Sequence, residues 1–372
     1  MNDTLQNLMR EATRLTRAGN LNEATQVIQR ALGNDRRAPT PPVQTPPLPS
    51  LARASPIILD GCVFEVANAD TEVDEQAQPE VSRSSMPWHA TNLPGEFVDG
   101  SHSDASLTRR YKLYSPPGAV GKSLPLVLML HGCTQNPDDF AAGTGMNELA
   151  KAKGFYVLYP EQSTHANPQR CWNWFKHNHQ ARGRGEAALL ASMTLEVIKQ
   201  HGIDPRRVYI AGLSAGGAMA AIVAAAYPEI YAAVGVHSGL AVGAASNVAE
   251  ALAAMKSGAK DIKLASVISP VPTIVFHGDQ DGTVHPRNGE QVIAALHAVT
   301  DKRVEQGVSA LGQSFTRTCQ VKHGHNFAEL WVLHGGGHAW SGGNAKGSYA
   351  DPKGPDASAE MLRFFSEHVK PL

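Results

Sequence analysis

The stretch Arg207-Val208-Tyr209-Ile210-Ala211-Gly212-Leu213-Ser214-Ala215-Gly216-Gly217-Ala218-Met219-Ala220 decides how the rest of the chain is read. An apolar strand runs into a small-residue helix, with G-x-S-x-G at the junction. A nucleophilic serine must stand clear of the sheet on a sharp turn. Glycines two residues to either side let neighbouring backbone approach without a Cβ in the way. A helix beginning immediately afterwards aims its N–H groups and positive end at the spot where negative charge would develop. The segment predicts a nucleophile, Ser214, at the end of the strand Val208 to Ala211.

Outward from this elbow, short apolar runs alternate with helical segments from about residue 95. Arg110 to Tyr114 reads as an early strand. Leu124 to Leu130 is a near-continuous apolar run, as expected of a strand buried on both faces. A short helix is expected near 145–153, then a strand from Phe155 to Tyr159 and a helix over 185–201. Further strands are expected near 232–236, 272–277 and 328–333, and a last amphipathic helix over about 356–369. Alternation of this kind predicts the α/β class, with a mostly parallel sheet covered by helices on both faces.

A serine needs a base, and the base needs an orienting acid. In the α/β-hydrolase fold these follow in the order Ser, acid, His, each in a loop after a later strand. After Pro272 to Phe276 comes His277-Gly278-Asp279-Gln280-Asp281, which offers two acids. Asp281 is favoured, with Asp279 holding the loop. After Leu330 to Leu333 comes His334-Gly335-Gly336-Gly337-His338-Ala339-Trp340. His338 lies at the far end of the glycine run, where a side chain can reach across to the serine; His334 reads as structural. The backbone N–H groups of Cys133 and Ala215 are expected as the oxyanion donors, with His131 orienting its loop.

The ends and the bulk composition add less. Residues 1–35 read as a helical hairpin, able to dock or self-associate. Residues 36–93 read as a Pro-rich and then acidic linker, partly disordered, and 94–372 as the catalytic domain. Charge is balanced, with 33 Lys+Arg against 34 Asp+Glu, so electrostatics gives no support to a nucleic-acid or anionic-membrane partner. Neither a membrane-spanning run nor a secretory leader is read, which points to the cytoplasm. The four cysteines form no C-x-x-C pair, and no metal site is expected.

The chain resembles the polyhydroxybutyrate depolymerase family of esterases, which includes feruloyl and acetylxylan esterase-like members. The resemblance covers about 96–370. It rests on Leu130 to Gln135, Cys171-Trp172-Asn173-Trp174-Phe175, Ile203 to Tyr209, Gly212 to Gly217, His277-Gly278 with Asp281, and Gly337 to Trp340. It implies cleavage of carboxylic esters through an acyl-enzyme, with Ser214, Asp281 and His338 as the triad and no cofactor. The substrate is expected to be a hydroxyalkanoate polymer or a short-chain acyl ester, or alternatively a feruloyl or acetylxylan ester. A peptidase or thioesterase on the same scaffold ranks behind these. Many members are secreted, which makes an extracellular location the alternative. His131, Trp172, Trp174 and Trp340 are expected to face the substrate. Cys133 and Cys171 flank the same pocket and are expected to form a disulfide in an oxidising compartment. The Ala-rich segment 243–260 is expected as a lid or a surface helix.

Overall fold

The computed structural model describes residues 95–371, apart from 105–106, 261–269, 297–300 and 323. The expected hairpin 1–35 and linker 36–93 lie outside the described residues. The strands are β1 (Glu96–Asp104), β2 (Leu107–Ser115), β3 (Leu126–Leu130), β4 (Tyr156–Pro160), β5 (Val208–Leu213), β6 (Ala233–His237), β7 (Thr273–Gly278), β8 (Asp301–Val308), β9 (Ser314–Lys322) and β10 (His325–Leu333). They form one sheet in the order β1-β2-β4-β3-β5-β6-β7-β10-β9-β8. Strands β4, β3, β5, β6, β7 and β10 are parallel to their neighbours within that run, with antiparallel pairs outside it. A two-residue pair, β11 (Trp340–Ser341) with β12 (Ala350–Asp351), follows β10. The helices are α1 (Pro137–Thr144), α2 (Met146–Lys153), α3 (Gly185–His201), α4 (Ala215–Ala226), α5 (Val248–Ser257), α6 (Arg287–Ala294) and α7 (Ala357–Ser366). This is the α/β-hydrolase fold.

The central strands are apolar at every position because both faces are covered. Successive side chains point to opposite faces. Leu126, Leu128 and Leu130 of β3 join Val208 and Ile210 of β5 in a core beneath α4. Val127 and Met129 join Tyr209, Ala211 and Leu213 in a second core that includes Phe364 and Phe365 of α7. Each such side chain taken out of water contributes roughly 1.5–3 kcal/mol, which makes the sheet a rigid base for the loops above it.

The structure departs from the sequence reading in its polar parts. The helix expected near 145–153 is α2, and the helix α1 just before it was not expected; Gly145, in the left-handed conformation (φ 61°), closes α1 and separates the two. Asn136 caps α1 by accepting from Asp139 N–H, and Pro137 with Asp138 and Asp139 occupies its first turn. The hairpin β8–β9 was not expected. Every residue of β8 but Gly307 is exposed, so the strand carries no apolar period, and its charges blunt the sheet edge. Strand β1 is likewise half-exposed and was missed. The last helix ends at Ser366, short of 369.

Candidate active site

Strands β3, β5, β6, β7 and β10 all end at one edge of the sheet, and the loops that leave them carry the candidate residues. Ser214 sits between β5 and α4 with φ 57° and ψ −119°, a region that non-glycine residues rarely occupy. The sharp turn has a steric origin. A Cβ on Gly212 would meet Gly216 C and O at 2.4 Å, and one on Gly216 would meet Leu130 O at 2.0 Å. Only glycine at both positions lets α4 start against the end of β3. The Ser214 N–H donates to His237 O (2.8 Å) at the end of β6, which fixes the turn from the other side.

Beyond β7 and β10 the two acid–histidine pairs separate cleanly. The His338 Nδ1–H donates to Asp281 Oδ2 at 2.7 Å. Asp281 Oδ1 accepts from the backbone N–H groups of Thr283 (2.9 Å) and Val284 (2.8 Å), and the His277 ring stands 3.4 Å from Oδ2. Burial alone would raise this carboxyl. The hydrogen bonds from His277, His338 and Val284 outweigh burial and hold it well below the ordinary carboxylate range. Asp281 is therefore an anion that keeps the proton of His338 on Nδ1, and among the described residues nothing occupies Nε2. The other pair is closed on itself. His334 Nδ1 meets Asp279 Oδ2 (3.0 Å), its Nε2 meets Thr316 Oγ1 (2.8 Å), and Asp279 Oδ1 accepts from Gly335 N–H (2.7 Å). With both ring nitrogens engaged, His334 has none to offer a serine.

The loop after β3 leaves one donor open. Gly132 N–H donates to Gln135 Oε1 (2.9 Å) and Thr134 N–H to Gln169 O (2.7 Å). Between them, the Cys133 N–H has no acceptor among the described residues. Ala215 is the first residue of α4, where a helix N–H has no partner within the helix. Cys133 is joined to Cys171 by a disulfide with Cα atoms 4.2 Å apart.

The expected substrate-facing side chains are mostly interior. His131 is buried, with Nδ1 donating to Gly132 O (2.7 Å) and Nε2 accepting from Gln162 N–H (3.1 Å). Burial pushes its pKa down to about 4, so the ring is neutral and serves to set the loop. Trp172 is fully buried against that ring, 5.7 Å between centroids. Trp340 is buried between Phe140 and His237 and donates to Ser358 Oγ (3.0 Å). Against the expectation of substrate contacts, all three side chains are buried in this structure: His131 and Trp340 hydrogen-bond inside the protein, and Trp172 Nε1 has no partner among the described residues. Trp174 is 5% exposed and meets Phe175 edge-on. The segment 171–174 hangs on Glu186, which accepts from Asn173 N–H (2.7 Å), Asn173 Nδ2 (2.8 Å) and Gln162 Nε2 (2.6 Å) and pairs with Arg109.

Two residues beside the candidate site were not singled out by the sequence reading. His237, fully buried, binds Ser214 N–H through its carbonyl and accepts from Ser341 N–H at Nε2 (2.9 Å), tying the serine turn to the loop that follows His338. Burial, and then the nearby His277 and His338, push its pKa well down, so it is a neutral acceptor. Tyr349 is exposed beside His338, with ring centroids 6.4 Å apart. The segment 243–260 contains α5, anchored beside the Asp281 loop by His285 N–H donating to Met255 O (2.8 Å).

Similar proteins place this arrangement in a family. A poly(3-hydroxyalkanoate) depolymerase C of Paucimonas lemoignei is 34% identical over 188 residues, which are 48% of this chain and 45% of that protein. A probable acetylxylan esterase A of Neosartorya fischeri is 30% identical over 207 residues, covering 50% of this chain and 54% of that protein. The chain thus spans about half the length of the curated relatives it matches. An acetyl xylan esterase from Aspergillus awamori shares the fold, with a TM-score of 0.56 at 19% identity over 70% of this chain and 94% of that one. The family profile described as esterase PHB depolymerase matches residues 109–314, more than half of the sequence, and the chain belongs to that family.

Proposed function

We propose that the protein hydrolyses carboxylic esters through a covalent acyl-enzyme, with Ser214 as nucleophile, His338 as base and Asp281 as its orienting acid. The observation that carries this reading is the His338–Asp281 hydrogen bond, which leaves Nε2 open at the edge where Ser214 stands. Ser214 Oγ attacks the ester carbonyl carbon as its proton passes to Nε2. The oxyanion is held by the N–H groups of Cys133 and Ala215. As the C–O bond breaks, His338 returns the proton to the departing alcohol. A water, deprotonated by the same nitrogen, then attacks the acyl-serine and releases the acid and the free serine.

The favoured substrates are short-chain hydroxyalkanoate esters, which the depolymerase relatives support. A second reading, an acetylxylan-type esterase, is supported by relatives of that name. Labelling with a fluorophosphonate probe, compared in the wild-type chain and Ser214→Ala, tests the serine. Rates on 3-hydroxybutyrate oligomers, acetylated xylan and methyl ferulate choose between the readings. A wild-type chain that is not labelled ends the serine-hydrolase reading.

A further inference from the structure

Non-glycine residues with positive φ are few among the described residues: Thr134, Arg170, Ser214, Ser238 and Tyr349. Thr134 follows the oxyanion donor, Arg170 precedes its disulfide partner, Ser214 is the candidate nucleophile and Ser238 follows His237. Backbone held in this region costs free energy and gathers where geometry serves function. Tyr349 is the one of the five with no sequence neighbour among the site residues named above, and for a bulky aromatic a φ of 50° is an outlier.

The backbone around Tyr349 is pinned on both sides while its side chain is left out. Tyr349 O accepts from Trp340 N–H (2.7 Å), and Ala350 pairs with Trp340 in the β11–β12 ladder. Ser348 donates to Asp139 through both N–H (2.8 Å) and Oγ (2.5 Å), and Ser348 O accepts from Gln135 Nε2 (3.1 Å). The ring is 46% exposed, edge-on to His338, and its hydroxyl reaches Thr134 Oγ1 at 3.3 Å. Thr134 has already committed its own hydrogen to Cys133 O at 2.6 Å, so in the Tyr349 contact Thr134 accepts and Tyr349 donates. At 3.3 Å that donation lies beyond the usual range for a hydroxyl and is readily surrendered to a better acceptor.

We propose that Tyr349 is a specificity-determining residue that contacts the alcohol side of the ester, resting on the hydrolase reading above. The departing oxygen must sit at His338 Nε2 to receive its proton, so the atoms attached to that oxygen come next to the group beside His338. That group is Tyr349. Its ring packs against the carbons of the alcohol, and its hydroxyl donates to an oxygen acceptor a few bonds further on. Esters of 3-hydroxyacyl alcohols carry such an acceptor, the carbonyl of their own acyl group. Simple alkyl alcohols carry none.

The test compares two esters with the same acetyl group: ethyl acetate, and methyl 3-acetoxybutyrate cleaved at its acetyl ester. Tyr349→Phe keeps the ring, and Tyr349→Asn removes it while remaining compatible with positive φ. The phenylalanine variant is expected to lose about tenfold in kcat/KM on the acetoxybutyrate, chiefly through KM, and to stay within about twofold on ethyl acetate. The asparagine variant should lose at least as much on the acetoxybutyrate. Fluorophosphonate labelling of both variants at the wild-type rate shows that the serine turn is intact. An equal loss on both esters would mean that Tyr349 only supports the oxyanion loop, and overturns the proposal, as does no loss on either. A wild-type chain that neither labels nor cleaves either ester fails the hydrolase reading itself.

Discussion

His338 Nδ1 and Asp281 Oδ2 lie 2.7 Å apart, while His334 and Asp279, four and two residues earlier in the same two loops, pair with each other at 3.0 Å. The two pairs look interchangeable in the sequence. In the fold, one has an open nitrogen and the other has none.

Ser214→Ala and His338→Ala are expected to lower kcat on soluble esters by roughly 10⁴-fold or more, since members of one catalytic unit fail together. His334→Ala should cost less than about tenfold in kcat and appear instead as a lower unfolding temperature, because it loses its bonds to Asp279 and Thr316. Steady-state kinetics with circular dichroism on all three variants decides this. Equal damage at both histidines would leave the base unassigned.

Asp281→Asn is expected to drop kcat by about 10⁴-fold, whereas Asp279→Asn should leave it within about tenfold of wild type. The folded-state pKa of Asp281 is depressed, so its contribution to stability is present above the unfolded value of about 4 and fades as pH falls below that. Urea midpoints of wild type and Asp281→Asn should therefore hold apart above about pH 5, begin to converge near pH 4 and go on converging as the pH falls further. A gap that stays constant would mean that Asp281 is not held as an anion.

His131 stays neutral in the folded chain down to about pH 4, where an unfolded histidine would take up a proton near 6.5. Its folded pKa is depressed, so its contribution is full above about 6.5 and is lost as pH falls toward about 4, to a limit of about 3 kcal/mol. Urea unfolding at pH 7 and pH 5 should show stability falling with pH, and His131→Gln should flatten that fall. An unchanged slope would assign the effect to another group.

Reduction of the Cys133–Cys171 bridge, or Cys171→Ser, frees a link across a sequence separation of 38 residues. In the chain-entropy model this removes up to about 4 kcal/mol. The larger effect is expected in kcat, because the Cys133 N–H sits on the released loop. A variant with lower stability but unchanged kcat would show that the oxyanion loop holds its shape without the bridge.

Glu186→Gln should be one of the more damaging core changes. The carboxylate is fully buried, and removing its charge leaves Arg109 without its ion-pair partner. A loss of about 3–5 kcal/mol is expected. Burial alone would raise this carboxyl, but hydrogen bonds from His179, Gln162 and Asn173 lower it instead. Chemical denaturation measures the cost. A loss below about 1 kcal/mol would mean that Arg109 finds water or another acceptor.

What the sequence by itself determined is the part written in local pattern. A continuous apolar run such as Leu126–Leu130, set among alternating helical segments, reads as a strand covered on both faces, and G-x-S-x-G between strand and helix supplies glycine where the folded chain would have a Cβ at Gly212 or Gly216 strike backbone. Those two facts yielded the fold class and the place of Ser214. Tertiary structure alone decided the rest. Trp172 and Trp340 looked like ligands because aromatic residues suit both a pocket and a core, and only packing shows that both are buried. The strands β1 and β8 were illegible because an exposed edge strand needs no apolar period. His237 and Tyr349 carry no motif. Their roles come from hydrogen bonds to residues 104 positions away, at Ser341, and 215 positions away, at Thr134, and separations of that size are brought together only when the sheet has formed.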